Sequence, residues 1–177
     1  MKYKLRYYGD PVLREKSEPV KEVNDETRSF VKEMIKIMYS SNGMGLAAIQ
    51  VGVPLRIFIT TVRSVDGEGY PVYGSPQVYI NPKITVTDPT VWVEQEGCLS
   101  LPKIYEDVPR PTSIKVEALD ENGKLFEEDL TLWMARPRLH ENDHLNGVLS
   151  IDRAPSHRKS ALRSQLKKIK KRYCDKK

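Results

Sequence analysis

Apolar residues recur at helical spacing across "NDETRSFVKEMIKIMYSSNG". Phe30, Val31, Met34, Ile35 and Met38 share one face, behind an N-cap candidate at Asn24 or Asp25 and ahead of Gly43. This predicts the first helix. After the glycine-punctuated "GMGLAAIQVG" the pattern changes to β-rich runs, "LRIFITTV", "QVYINPKITVT", "TVWVE", "SIKVEAL" and "KLFEEDL", with Asn122 and Gly123 marking a hairpin turn. Helical spacing returns from about Thr131 to Asn146, closed by Gly147, and again near the end, where Ala161, Leu162, Leu166, Ile169 and Tyr173 recur every three to four residues. No repeat or linker divides the chain. The expectation is an α+β fold in one domain, residues 1–177: a mostly antiparallel sheet packed around the helix at 131–146, with an N-terminal and a C-terminal helix.

Composition narrows the class. With 39% hydrophobic and 30% charged residues the chain is neither disordered nor fibrous, and 177 residues suffice to bury a core without disulfide staples. No apolar run approaches membrane-spanning length. The opening "MKYKLRYYGDPVLREKSEPV" lacks the apolar segment of a secretory signal, and its acidic residues disagree with a transit peptide. Cys98 and Cys174 lie far apart without a CxxC, which fits a reduced compartment, so a cytoplasmic location is expected. The net charge of +5 is uneven, because residues 157–177 carry ten Lys or Arg against one Asp and leave a slightly acidic body. Such a basic segment is either a solvated helix face or a surface for a phosphate-rich partner such as RNA.

Two of the three histidines fall inside "RLHENDHLNG", residues 138–147. His140 and His144 are one helical turn apart, so both imidazoles leave the same face and can reach one cation, and Glu141 sits beside them. A carboxylate there can take a proton from a water acidified by the cation and pass it to a leaving amine, which makes HExxH suited to amide hydrolysis. Three fixed positions on a charged helix also arise by chance, and a third ligand decides between the readings. Downstream only His157, near the basic segment, offers itself. Upstream, "EGCLSLP" places Cys98 after a strand and beside Gly97, as a small core residue or as a thiolate ligand. In "GMGLAAIQVG", which is not spaced as a phosphate loop, Gln50 is either a turn residue or a donor to a developing oxyanion.

Taken together, "GMGLAAIQ", "EGCLS" and "HENDH" resemble the three signature motifs of peptide deformylase. The likeness runs from "GDPVLR" through "INPKI" and Arg110-Pro111 to "HLNGVLSIDR". The family is α+β. The resemblance implies that Cys98, His140 and His144 bind one divalent metal with a fourth position for water or hydroxide, Fe2+ first and Zn2+, Ni2+ or Co2+ as replacements. It further implies Glu141 as general base and acid, with the Gln50 amide and the Leu99 backbone N–H stabilising the oxyanion. Backbone around Met44, Gly45 and Gly97 would hold an N-formylmethionyl peptide as an added strand. The implied reaction removes the N-formyl group and releases formate. The basic C-terminal helix resembles one that docks on the ribosome in some members, with neither DNA nor membrane as a partner.

Some positions depart from the family pattern. Ile49 stands where proline is usual, which removes a φ restraint before Gln50. Pro137, Arg138 and Leu139 replace apolar residues and a glutamine, and Asn142 replaces an apolar residue on an inward side of the helix. Pro137 is expected in the wall of the methionine pocket, and Arg138, three before Glu141, is expected to pair with it and lower its pKa. Two other readings stand beside deformylation: an impaired paralogue that binds without turnover, and an unrelated HExxH metallopeptidase.

Overall fold

A computed structural model describes residues 2–175, apart from the side chain of Ser156. Helix α1, Asp25–Ser40, starts at Asn24, whose side chain accepts from the Thr27 N–H at 3.0 Å. Strands β1 (Gly45–Ala47), β2 (Ile57–Val65), β3 (Pro71–Gly97), β4 (Tyr105–Leu119) and β5 (Leu125–Thr131) follow, then α2 (Leu132–Leu145), α3 (Ser150–Arg153) and α4 (Ser156–Tyr173). The five strands form one sheet in the order β1-β2-β3-β4-β5, each pair antiparallel. The expected α+β architecture holds. No helix among the described residues is long and apolar enough to cross a membrane.

The runs "QVYINPKITVT" and "TVWVE", read as separate strands, belong to the single strand β3. Its register slips between Ile80 and Lys83, between Val86 and Asp88, and between Asp88 and Val91. Pro82 and Pro89 lie in two of these gaps, where the missing N–H cannot join a ladder; the sequence signal runs through Pro82 and breaks at Asp88-Pro89, although the strand continues.

The sheet is covered on both faces. In β2 alternate side chains diverge: Ile57 and Ile59 join α1 residues Phe30, Val31, Met34 and Met38, whereas Phe58 joins Tyr79, Ile114, Val116, Ala135 and Leu145 on the α2 side. The third cluster seats α4, whose Leu162, Leu166 and Ile169 pack with Leu13, Leu101, Leu149 and Ile151. Ala161 is exposed and Tyr173 is 38% exposed, so the apolar stripe of α4 is narrower than its spacing suggested.

Helix α2 carries Pro137 in its interior rather than starting there. The proline removes the amide that would bond to the Trp133 carbonyl. Packing between the sheet and the rest of α2 holds the helix together across that break.

Candidate metal centre

Helix α2 lies against β1, β2 and the ends of β3 and β4, and it presents His140 and His144 from one face. Cys98 follows β3 in a turn closed by the Leu101 N–H donating to the Cys98 carbonyl at 2.9 Å, and the Tyr8 N–H anchors the Ser100 carbonyl at 2.9 Å. The donor atoms of Cys98, His140 and His144 all lie within 4.8 Å of one another. Cys98 Sγ is 3.3 Å from His144 Nε2. Two imidazoles and a thiol at this spacing suit a small divalent cation. His157, the downstream candidate, is exposed on α4, and Cys174 donates to the carbonyls of Tyr7 and Tyr8, so neither joins the group.

A buried charge network orients His140. Glu96 accepts from His140 Nδ1 at 2.8 Å, from Arg110 Nε and Nη2 at 2.9 Å each, and from Arg136 Nη1 at 2.7 Å. Burial acts against the Glu96 charge, but the hydrogen bonds from Arg110 and His140 prevail and hold its carboxyl well below the usual range. With Nδ1 committed to Glu96, His140 turns Nε2 toward Cys98, the carboxylate–histidine arrangement that fixes a metal ligand. Arg110 also donates to Asp143 at 2.5 Å, and Arg153 Nη2 donates to Asp143 at 2.6 Å, which ties α2 to β4 and α3. The sequence alone assigned no role to Glu96, Arg110, Arg136 or Asp143. For Glu96 and Arg110 the one signal was charge at positions that the strand alternation turns inward, and Arg136 and Asp143 carried only their charge on α2.

Glu141 is 5% exposed, and its Oε2 is buried without a partner. Burial pushes its pKa up to about 7, opposed by the charge of His140. A Cβ on Gly45 would collide with Glu141 Oε1, so only glycine lets β1 pass this close to the carboxylate. Gln50 is buried in the short turn Ala48–Val51; its Oε1 accepts from the Ala47 N–H at 2.8 Å, while Nε2 points at Ser100 Oγ, 3.2 Å, and Cys98 Sγ, 3.6 Å. Leu99 supplies the next peptide group after Cys98, and its side chain packs toward Gly43 and the α1 cluster. Met44 is 52% exposed and lines a groove of about 480 Å³ with Tyr39, Thr61 and Tyr73. Gly97 is covered by the ring of Tyr105. Residues from three distant motifs are thus brought together: Gln50 lies beside Cys98 of the Cys98-His140-His144 group, Gly45 beside Glu141, and Leu99 beside Gly43.

The family profile described as "Polypeptide deformylase" matches residues 2–160. The chain belongs to the peptide deformylase family. It is 43% identical over 166 residues to a peptide deformylase of Pseudothermotoga lettingae, covering 94% of this chain and 91% of that protein. A crystal structure of peptide deformylase from Thermotoga maritima is similar with a TM-score of 0.78 at 41% identity, over 86% of this chain and 97% of the other. One from Ehrlichia chaffeensis in complex with actinonin gives 0.85 at 35% identity, over 97% and 98%. The deformylase assignment makes the protein a hydrolase.

Two departures from the deformylase pattern, Arg138 and Asn142, resolve differently from the sequence expectation. Arg138 does not pair with Glu141. It is fully buried, with Nε donating to the Tyr79 hydroxyl at 2.8 Å and Nη1 to the carbonyls of Val62 and Met134 at 2.8 and 3.1 Å. Residues three apart remain neighbours on a helix, but the Tyr79 hydroxyl on β3, the Val62 carbonyl on β2 and the Met134 carbonyl on α2 capture the guanidinium instead. Asn142 is only half-buried, and its Oδ1 accepts from Arg56 Nη2 at 3.4 Å, so no buried amide is orphaned there. Leu139 packs beside the α2-side cluster. At Ile49 the lost φ restraint is offset by anchors on the same turn, since the Arg6 N–H donates to the Gln50 carbonyl at 2.7 Å and Ile49 itself is fully buried.

Proposed function

We propose that this protein removes the N-formyl group from the initiator methionine of nascent polypeptides, releasing formate and a free α-amino group. The observation that carries the reading is the convergence of Cys98, His140 and His144 beside a buried, partnerless Glu141 carboxylate oxygen, within a deformylase fold.

A divalent metal held by Cys98, His140 and His144, with Fe2+ preferred over Zn2+, Ni2+ or Co2+, would polarise the formyl carbonyl and acidify a water. Glu141 accepts the proton of the attacking water and returns it to the leaving amine, a role that suits a carboxyl whose pKa burial has brought to about 7. Gln50 Nε2 and the Leu99 N–H donate to the oxygen on which negative charge develops. Glu96 holds the His140 ring in place. The peptide lies as an added strand against backbone at Met44, Gly45 and Gly97, which recognises main chain and leaves downstream sequence largely free. In α4, the exposed Arg163, Lys167, Lys168 and Lys171 form a basic face that supports docking on ribosomal RNA in the cytoplasm.

The test is formate release from formyl-Met-Ala-Ser by protein prepared anaerobically with Fe2+, beside Glu141→Ala and a chelated control. Release that both controls abolish supports a metal-dependent deformylase. Stoichiometric metal without release overturns it in favour of a binding paralogue.

A further inference from the structure

Helix α2 and the chain at Met44 and Gly45 are joined by hydrogen bonds that pass through β2. Arg138 lies two residues before His140, and its Nη1 bridges two carbonyls, that of Met134 on α2 at 3.1 Å and that of Val62 on β2 at 2.8 Å. The residue before Val62, Thr61, directs both its donors at one acceptor, since its N–H and its Oγ1 reach the Met44 carbonyl at 2.8 and 3.1 Å. From Gly45 onward β1 pairs with β2. Two consecutive β2 residues therefore connect the helix that carries His140 and His144 to the strand that passes beside Glu141.

β2 is irregular at this point. Thr60 pairs with Gln77 and Val62 with Tyr73, so residues 74–76 of β3 stand opposite Thr61. Ladder bonds do not fix a strand across such a bulge, and its place depends on other contacts. α2 is interrupted as well, because Pro137 withholds the amide that would bond to the Trp133 carbonyl. Arg138 follows that break and grips both irregular segments. Its direction is fixed by Nε donating to the Tyr79 hydroxyl at 2.8 Å, which in turn donates to Glu128 at 2.5 Å. Nη2 is buried with no partner among the described residues, and Glu128 is 3.7 Å from Nε, so the buried charge contributes little to stability. An apolar side chain of similar volume would fill the same space. What arginine adds is a rigid donor held on the Val62 carbonyl.

We propose that Arg138 is a positioning residue for the peptide-binding edge: through Val62 and Thr61 it fixes the separation between the His140 and His144 face of α2 and the β1 backbone. The proposal rests on the deformylation reading, in which the peptide main chain is laid on that backbone. Gln50 is anchored separately, by Ser100 and by the Arg6 N–H, and Glu96 holds His140. Loss of the guanidinium therefore frees β1 to shift against the helix while the reacting groups keep their places. Such a change weakens binding of the main chain before it slows the chemistry, so KM responds first.

The experiment uses the metal-loaded full chain with Arg138→Met, Thr61→Val and the double variant. Thr61→Val cuts the same connection from the β1 end and leaves the core of α2 untouched. Amide hydrogen exchange is read at Thr61 and along α1, and KM and kcat are measured with formyl-Met-Ala-Ser. Arg138→Met is expected to speed exchange at Thr61 by about tenfold with α1 unchanged, and to raise KM about fivefold with kcat within about twofold, the scale of one lost hydrogen bond. Thr61→Val should raise KM about threefold, and the double variant no more than about fivefold, since both cut one connection. Metal retention against a chelator should not change. Multiplied effects in the double variant, or unchanged exchange at Thr61, would overturn the proposal. Loss of kcat and of metal with KM unmoved would assign Arg138 to holding α2 alone and overturn it too. No formate from the unsubstituted protein would overturn the deformylation reading and this proposal with it. Formate with a KM that neither single variant moves would overturn this proposal alone.

Discussion

Arg138 Nε donates to the Tyr79 hydroxyl at 2.8 Å, and the same hydroxyl donates to Glu128 Oε1 at 2.5 Å. The relationship places a guanidinium with no exposed surface between α2 and the sheet, 3.7 Å from the Glu128 carboxylate. Burial is the first cause that raises the Tyr79 pKa far above its ordinary value, so the phenol stays protonated and keeps donating to Glu128.

Because Arg138 Nη2 is buried without a partner, this pair is a poor source of stability. Arg138→Met, which keeps much of the volume, is expected to change unfolding free energy by less than about 1.5 kcal/mol, whereas Arg138→Ala opens a cavity and costs about 2–4 kcal/mol. Chemical denaturation measures both. The acidic limb of the rate profile should stay put in Arg138→Met, since the side chain does not touch Glu141; a shifted limb would contradict this placement.

Glu96 gathers His140 and two arginines onto one carboxylate. Glu96→Gln keeps the shape and removes the charge, and is expected to weaken metal retention by 10- to 100-fold. Competition against a chromogenic chelator reads this directly, and unchanged retention would mean that Glu96 serves the arginines alone.

Gly45 leaves no room for a methyl group beside Glu141 Oε1. Gly45→Ala should displace the carboxylate and lower kcat by about 100-fold, with metal content and melting temperature little changed. Full activity in this variant would show that β1 can step back.

Pro137 interrupts the α2 hydrogen-bond ladder six residues into the helix. Pro137→Ala restores the donor to the Trp133 carbonyl and is expected to stabilise by about 2 kcal/mol, after allowing for the extra freedom it gives the unfolded chain. A lower denaturation midpoint would indicate that the pyrrolidine ring packs more usefully than a methyl group.

The helices were legible because their signals are local. Asn24 caps α1 as its side chain chemistry requires, and the spacing of His140 and His144 places both on one face of α2 without reference to anything else. The strands were legible singly, but the union of two runs into β3 was not, since Asp88 and Pro89 read as an end while the partner strand β4 carries the register past them.

What the sequence by itself determined was the periodicity, the helix ends, and two imidazoles on one helix face beside the Glu141 carboxylate, all properties of side-chain type and spacing, whereas the Cys98 thiol entered the donor set only through the family resemblance. Only the tertiary structure decided that Cys98, 42 residues before His140, shares its cavity rather than His157, and that Glu96 rather than a neighbour on the helix orients the ring. Tertiary structure also sent Arg138 to Tyr79 instead of Glu141. The physical reason is the same in each case. A buried polar group is satisfied by whichever partner packing brings within about 3 Å, and in a sheet covered on both faces that partner comes from a strand distant in sequence.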